Sequence, residues 1–182
     1  FHMNVNECIL GRGSIRKFSP KPIETSIIKE IIEEASYSPS WKHTQIVRYV
    51  AVMDQDVKYK IGKTATTIYP NNGLIIQDAA ALIAVTIIKK RSGYERDGSF
   101  STIREDGWQM FDAGIASQTL CLAAYEHGLG SVILGLFDVD TVSQMLNIPE
   151  DQDVIALIPI GYPEESPIAP KRKCVDDLLT II

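Results

Sequence analysis

The segment from Asp106 to Gly128 constrains the fold more than any other part of this chain. Asp106 or Gly107 can begin a helix there, and Gly128 can end it. Apolar side chains occupy nearly every face of that helix: Trp108, Phe111, Ala113, Ile115, Ala116, Leu120, Leu122 and Ala123. A helix that is apolar all round has to be covered on all sides. We therefore expect a central helix, packed on its own sheet and against a second subunit.

Predicted helices and strands alternate along the rest of the chain. A helix is predicted from Glu24 to Ser36, because isoleucines recur there with helical spacing opposite lysine and glutamates. Asp54 and Asp138 can each cap a further helix. The sequence Asn71-Asn72-Gly73 is typical of a turn. Strands are predicted over 48–53, 80–88, 131–136 and 154–160. This order predicts an α+β or α/β sandwich.

Composition excludes several classes of protein. At 182 residues with 45% hydrophobic content, the chain fits one domain with a substantial core. A net charge of −5 argues against nucleic-acid binding, which usually needs a dominant basic surface. No apolar run approaches the roughly 20 residues that span a bilayer, so we expect no membrane insertion. We read Phe1 and His2 as a cloning remnant, which leaves a single domain over 3–182.

The cysteines and histidines do not suggest a metal site. Cys8, Cys121 and Cys174 are odd in number and far apart, without a CxxC pair. The histidines have no helical pairing suited to a metal. We therefore expect a cytoplasmic protein without a disulfide framework or metal.

Residues 12–18, Arg12-Gly13-Ser14-Ile15-Arg16-Lys17-Phe18, form a basic strip in an acidic chain. In an extended backbone, Arg12, Ser14 and Arg16 would share one face, while Ile15 and Phe18 would anchor the other. Forked guanidiniums and a hydroxyl are suited to binding phosphate. The alternative is a solvated surface whose exposed ion pairs contribute little.

Five short motifs occur in series along nearly the whole chain. They are the basic strip, Ser38-Pro39-Ser40 with Gln45 beyond it, Asp112-Ala113-Gly114-Ile115-Ala116, Gly128-Leu129-Gly130-Ser131 and Ile160-Gly161-Tyr162-Pro163. In order and spacing, from about residue 5 to 178, they resemble the FMN-dependent nitroreductase family. The resemblance implies an α+β three-layer sandwich, with a central, mostly antiparallel sheet flanked by helices. It also implies a domain completed by dimerisation, with two FMN molecules at the interface of a homodimer.

The resemblance assigns cofactor contacts residue by residue. Arg12, Ser14 and Arg16 would bind the FMN phosphate and ribityl chain, and Gly13 would let the backbone approach the cofactor. Arg172, helped by Lys173 or Lys171, would close over the phosphate. The other assigned residues would contact the flavin ring. Four of them would come from the partner subunit: Pro39, Ser40, Trp41 and His43. The other four are Asn72, Leu134, Gly135 and Leu136.

Three positions depart from the family pattern. The partner-subunit segment commonly continues Asn-x-Gln-Pro, whereas here His43 is followed by Thr44, Gln45 and Ile46. Trp41 is either a gate over the flavin or a packing residue at the dimer seam. His43 is either a proton donor or a surface or stacking side chain. Leu136 replaces a usual glycine, which predicts a narrower or more apolar roof over the ring.

The predicted activity is that of an NAD(P)H oxidoreductase in which FMN carries the chemistry and no side chain acts as a catalytic triad. The expected acceptors are flat molecules, namely nitroaromatics, quinones and free flavins, reduced in a ping-pong cycle. Two alternatives stay open. One is a narrower FMN reaction, such as dehalogenation or oxygen-dependent chemistry, and the other is a non-catalytic flavin-binding module. A polar loop from Lys90 to Ile103 is either a lid or an uncommitted surface loop.

Overall fold

A four-stranded antiparallel sheet lies at the centre of the protein. The computed structural model describes residues 3–182, so the predicted cloning remnant lies outside the described residues. The elements are α1 (Val5–Gly11), α2 (Thr25–Ser36), a 3₁₀ helix (Trp41–His43), β1 (Val47–Val52), α3 (Gln55–Thr64), α4 (Pro70–Asp78), β2 (Ala81–Ile88), α5 (Gly107–Glu126), β3 (Gly130–Ser131), α6 (Val139–Met145), β4 (Gln152–Gly161) and a 3₁₀ helix (Val175–Asp177).

The strand order is β1-β2-β4-β3, which places β2 inside the sheet. Ile83 of β2 pairs with Ala51 of β1 on one side and with Ile158 of β4 on the other. Nearly all of β2 is buried, as expected for a strand covered on both faces. This burial explains its continuous apolar sequence.

Helices cover both faces of the sheet. Because strand side chains alternate, Ile83 and Val85 join one core while Leu82 and Ala84 join another. The first core includes Ile31 of α2 and Leu120 of α5. The second core includes Ile61 of α3, Ile76 of α4 and Val142 of α6. The predicted α+β three-layer sandwich with an antiparallel sheet is therefore confirmed.

The central helix is covered on only one side by its own chain. Leu120, Cys121 and Ala124 of α5 are buried against α2 and the sheet. Met110 and Phe111, near its start, are 56% and 59% exposed. The predicted helix is confirmed, and its apolar outer side is left uncovered within one subunit.

The strand predicted over 131–136 is much shorter than expected. β3 ends at Ser131, and only a single bridge between Leu134 and Leu157 follows in the same register. Between them, Val132 donates to the Pro159 carbonyl at 3.4 Å. Proline has no N–H to return that bond, so the ladder is interrupted at this pair. The chain is then free to leave the sheet at 135–136.

The predicted turn at Asn71-Asn72-Gly73 lies in the first turns of α4, so that prediction was wrong. Pro70 occupies the first position of the helix, where proline is well tolerated. Gly73 faces Gly62 of α3 so closely that a Cβ on either residue would collide with the other's carbonyl. Gly73 therefore serves a close helix crossing.

Lys58 of α3 is a buried cation below this crossing, with 2% of its surface exposed. Its Nζ donates to the carbonyls of Ala79 and, at 3.2 Å, Ala80. Burial lowers the pKa of Lys58, while Asp54 and Asp78 partly oppose that shift. The unfolded chain therefore holds this proton more tightly than the folded protein. Stability should rise with pH between the lowered pKa and the ordinary value of 10.5.

Replacing Lys58 with methionine is expected to lower the free energy of unfolding by about 1 to 3 kcal/mol near neutral pH, because two carbonyls lose their donor. The variant should also lose the alkaline rise in stability. Urea unfolding across that pH range measures both effects, with Lys60→Met, exposed on the same helix, as control. Equal pH slopes for the two variants would contradict this assignment.

Candidate functional site

The basic strip lies along the outer edge of the sheet. Ser14 forms a parallel bridge with Ser131 of β3, and the Ile15 amide donates to the Ser131 carbonyl at 3.0 Å. Further on, Phe18 forms an antiparallel bridge with Pro163. Lys17 is joined through its carbonyl to the amide of Glu164 at 3.0 Å. The strip is thus an extended edge segment, as its alternating pattern predicts.

Two glycines allow the basic strip to lie close against the edge of the sheet. A Cβ on Gly130 would lie 2.7 Å from Ile15, and one on Gly161 would lie 2.8 Å from Phe18. Any larger residue would push the strip off the edge. The motifs around these glycines are recognisable in the sequence, but their contact with residues more than a hundred positions away is not.

Two buried polar atoms beneath the strip have no hydrogen-bond partner among the described residues. They are Nε of Arg12 and Oγ of Ser131. Burial raises the pKa of the nearby Cys121 thiol, while Ser131 and Arg12 partly oppose that shift. The Ser131 hydroxyl lies beside this thiol without meeting hydrogen-bond geometry. Buried polar groups are normally satisfied, so these donors fit an anionic ligand.

Gly13 has open space around it: a Cβ added there would meet no atom within 4 Å. The protein's own packing does not require glycine at this position. The space beside Arg12 and Ser14 is therefore free for a ligand to approach the backbone.

Arg16 and Lys17 lie on a cleft of about 460 Å³ between the strip and α4. The α4 side is lined by Leu74, Ile75, Gln77 and Asp78. This volume is in the range of small-ligand pockets. The sequence predicted only Asn72 of α4 as a site residue, because a turn predicted at 71–73 gives no reason to expect Leu74, Ile75, Gln77 and Asp78 beside the strip.

Two carboxylates occupy backbone amides of the strip. Glu165 accepts from the Arg16 amide at 2.6 Å, and Asp78 accepts from the Phe18 amide at 2.8 Å. An anion bound here would therefore be held by Arg12, Ser14 and the Arg16 guanidinium. Neither acidic residue was predicted from the sequence.

The segment after β3 contacts α4. The Asn72 side-chain amide donates to the Leu136 carbonyl at 3.1 Å. Leu134 is buried and Leu136 is exposed, as is Gly135 between them. Four of the predicted ring-contact residues thus lie together, because the chain leaves the sheet immediately after Leu134.

The other predicted ring contacts, residues 39–43, lie elsewhere in the subunit. The Trp41 amide donates to both carboxylate oxygens of Asp112 in α5, at 3.0 and 3.1 Å. Lys42 forms an ion pair with Glu95 at 2.7 Å. Among the described residues, this segment forms no hydrogen bond with the basic strip.

The polar loop at 90–103 is fastened to α5. Gln109 accepts from the Lys90 amide at 2.7 Å, and Trp108 Nε1 donates to Thr102 at 2.9 Å. Tyr94 and Phe100 stack across the loop with ring centroids 4.9 Å apart. Hydrogen bonds from Lys42 and Ser101 lower the pKa of Glu95. The loop is thus an ordered hairpin-like element.

The C-terminal tail from residue 166 is exposed throughout. Arg172 and Lys173 lie there, and neither forms an ion pair in the part of the chain that the structure describes. Several large apolar side chains share this exposure: Ile168, Val175, Leu178, Leu179, Ile181 and Ile182. The tail is not packed within the subunit.

A separate cluster contains Glu34, Glu126 and His127, whose ligand atoms lie within 4.8 Å of one another. His127 also hydrogen-bonds Glu34 at 3.2 Å and lies 3.9 Å from Glu30. These pairings explain the cluster, so we propose no metal there. Within residues 3–182, none of the helices is both long and apolar enough to cross a bilayer.

Comparison with known proteins matches this architecture to one family. A sequence model described as Nitroreductase family matches residues 9–73 and 68–162. A Methanothermobacter thermautotrophicus protein named "Putative NADH dehydrogenase/NAD(P)H nitroreductase" is 30% identical over 169 residues, covering 91% of this chain and 80% of its own. The NADPH-flavin oxidoreductase of Vibrio harveyi is 27% identical, covering 90% and 68%.

The fold agrees with that match. The crystal structure of a nitroreductase family protein from Clostridium novyi NT superposes with a TM-score of 0.77 at 26% identity. The superposition covers 90% of this chain and 87% of the Clostridium chain. With an antiparallel α+β sandwich and a family match across most of its length, this chain belongs to the nitroreductase family.

Proposed function

We propose that residues 3–182 are a single FMN-binding domain that transfers electrons from NAD(P)H to flat acceptors such as nitroaromatics, quinones or flavins. The observation that carries this proposal is the pair of unpartnered buried polar atoms under the basic strip, Arg12 Nε and Ser131 Oγ. The names of the Methanothermobacter and Vibrio relatives support the same chemistry.

In this proposal, the phosphate of FMN lies on the basic strip. Arg12 and Arg16 supply charge-assisted donors, Ser14 supplies a hydroxyl, and the open space at Gly13 admits the phosphate. Arg172, helped by Lys173 or Lys171, comes from the exposed tail. Glu165 and Asp78 already occupy two strip amides, so side chains hold the anion.

The ring would lie between the strip, α4 and residues 134–136. Asn72 is fixed there by its bond to the Leu136 carbonyl. When bound, FMN supplies the hydride chemistry, so the chain needs no acid–base pair. The Leu134 amide is already bonded to the Leu157 carbonyl at 2.8 Å. The Arg16 cation and the amides of Gly135 and Leu136 would therefore stabilise negative charge at the ring edge. Leu136, whose side chain is exposed, would give the ring an apolar neighbour on that side.

A second copy of the chain would complete the site. The uncovered side of α5 exposes Met110 and Phe111, and α1 exposes Val5, Ile9 and Leu10. Exposed apolar faces of this kind mark association surfaces. We propose a homodimer in which Pro39, Ser40, Trp41 and His43 reach the partner's flavin. The C-terminal tail from residue 166 would cross the dimer interface.

The test uses purified protein supplied with FMN. The protein should be yellow, and its flavin absorbance should bleach when NADH or NADPH is added without oxygen. A nitroaromatic or quinone should then restore the colour. Colour without bleaching would favour a non-catalytic binding module, and an absence of colour with excess FMN would overturn the proposal.

A further inference from the structure

The segment 40–45 has a costly backbone conformation, and Asp112, which lies outside the proposed flavin contacts, is bonded to its second residue, Trp41. Lys42, His43 and Gln45 have φ angles of 44°, 56° and 48°. L-residues other than asparagine, aspartate and histidine rarely adopt this left-handed region, so Lys42 and Gln45 are the strained positions. Such strain persists only when surrounding contacts enforce it, and it is concentrated at functional sites.

Asp112 is the deepest of those contacts. It lies on α5 with 2% of its surface exposed, and both carboxylate oxygens accept from the Trp41 amide. It forms no ion pair within residues 3–182. A carboxylate buried without a cation is costly, so its retention fits a specific positioning role.

The amide that Asp112 holds belongs to one member of an aromatic pair. The rings of Trp41 and Trp108 have centroids 4.4 Å apart at an interplanar angle of 40°. Phe111 meets Trp108 edge-on at 5.4 Å. Lys42 places its ammonium 5.7 Å from the Trp41 ring centroid and is tied to Glu95. Indoles arranged in this way provide an electron-rich wall for a flat ring.

We propose that Asp112 is a positioning residue for the electron acceptor: by holding the Trp41 amide, it sets the Trp41–Trp108 pair as a wall against which flat, electron-poor aromatic acceptors stack. This rests on the proposed function, in which residues 39–43 reach the partner's flavin. A cavity of about 130 Å³ lies behind Ser40 and Asp112. Ser40 and Gln45, which flank Trp41 along the chain, line this cavity, so the segment has space to move into when its anchor is removed.

The first measurement does not depend on activity. The chain contains only two tryptophans, so an exciton couplet between indole rings in its circular dichroism spectrum comes from this pair. The apoprotein should show the couplet, and Asp112→Leu should lose it. Asp112→Asn should keep it, because the amide oxygen still accepts from Trp41. Ser117→Ala, a buried position on the same helix, should keep it too.

The second measurement separates acceptors by shape. In the FMN-loaded enzyme, Asp112→Leu and Trp108→Leu should each raise KM for a p-quinone about tenfold, the effect of losing about one favourable contact. Reoxidation by ferricyanide, which does not stack, should be unchanged. Asp112→Asn should stay within about twofold. Should the leucine variant not fold, Asp112→Ser, too short to reach the amide, is expected to give the same two results.

Either of two results would overturn this inference: a couplet that persists in Asp112→Leu or Asp112→Ser, or a lost couplet with unchanged quinone KM. Failure of the proposed function is distinguishable, because the protein would then not bind FMN or bleach. The couplet would still report whether Asp112 positions Trp41.

Discussion

Replacing Phe18 with alanine is expected to lower the free energy of unfolding by about 3 to 5 kcal/mol, the usual cost of deleting a buried aromatic ring. Phe18 is 2% exposed and joins the core on the α3, α4 and α6 side of the sheet. Its ring fills the space above Gly161, and its amide is bonded to Asp78. No other residue of the basic strip is as deeply buried.

Because Phe18 ends the strip that holds Arg12 and Arg16, its loss should also weaken FMN binding. Guanidinium unfolding with and without FMN measures both effects, since ligand that binds only the folded state adds stability. Phe100→Ala is the matched control: this phenylalanine is 47% exposed, and its ring contacts that of Tyr94. A loss of stability in Phe18→Ala no larger than that in Phe100→Ala would show that the ring does not anchor the strip.

The second large effect is expected on cofactor affinity. If the proposed phosphate site is correct, Arg12→Ala and Arg172→Ala should each weaken FMN binding by about 10- to 150-fold, because each would remove a charge-assisted phosphate contact worth about 1.5 to 3 kcal/mol. For Arg12, the unpartnered buried Nε is the structural reason. For Arg172, the reason is an exposed cation in the tail, which the proposed site places over the same phosphate.

Fluorescence titration of the apoproteins with FMN measures the change, and titration with riboflavin tells whether it concerns the phosphate. The two arginine variants should bind riboflavin as the unmodified protein does. Arg96→Ala, an exposed arginine of the 90–103 loop, should leave both affinities unchanged. Unaltered FMN affinity in both Arg12→Ala and Arg172→Ala would place the phosphate elsewhere.

Local signals predicted most of the secondary structure. Helical spacing of isoleucines predicted α2, and its observed range begins one residue after the predicted start. Asp54 and Asp138 cap α3 and α6 through bonds to Val57 and Thr141. These features depend on interactions within a few residues, which is why they can be read directly from the chain.

The errors share a different cause. β3 is cut short because Pro159, on another strand, lies opposite Val132. Asn71, Asn72 and Gly73 look like a turn, yet Gly73 is needed where α4 crosses Gly62. In both places a residue distant in sequence decides the local secondary structure, and local propensity does not depend on that residue.

By itself, the sequence determined most of the elements, the caps of α3 and α6, the family and the cationic groups available to a phosphate, because each follows from short-range spacing or from motifs in series. Only the tertiary structure decided that Gly130 and Gly161 seat the basic strip on the sheet edge. It also decided that α4 faces Arg16 and that Asp112 holds Trp41. These are contacts between residues that approach only when the sheet and helices pack, and the close approach of surfaces is fixed by packing rather than by sequence spacing.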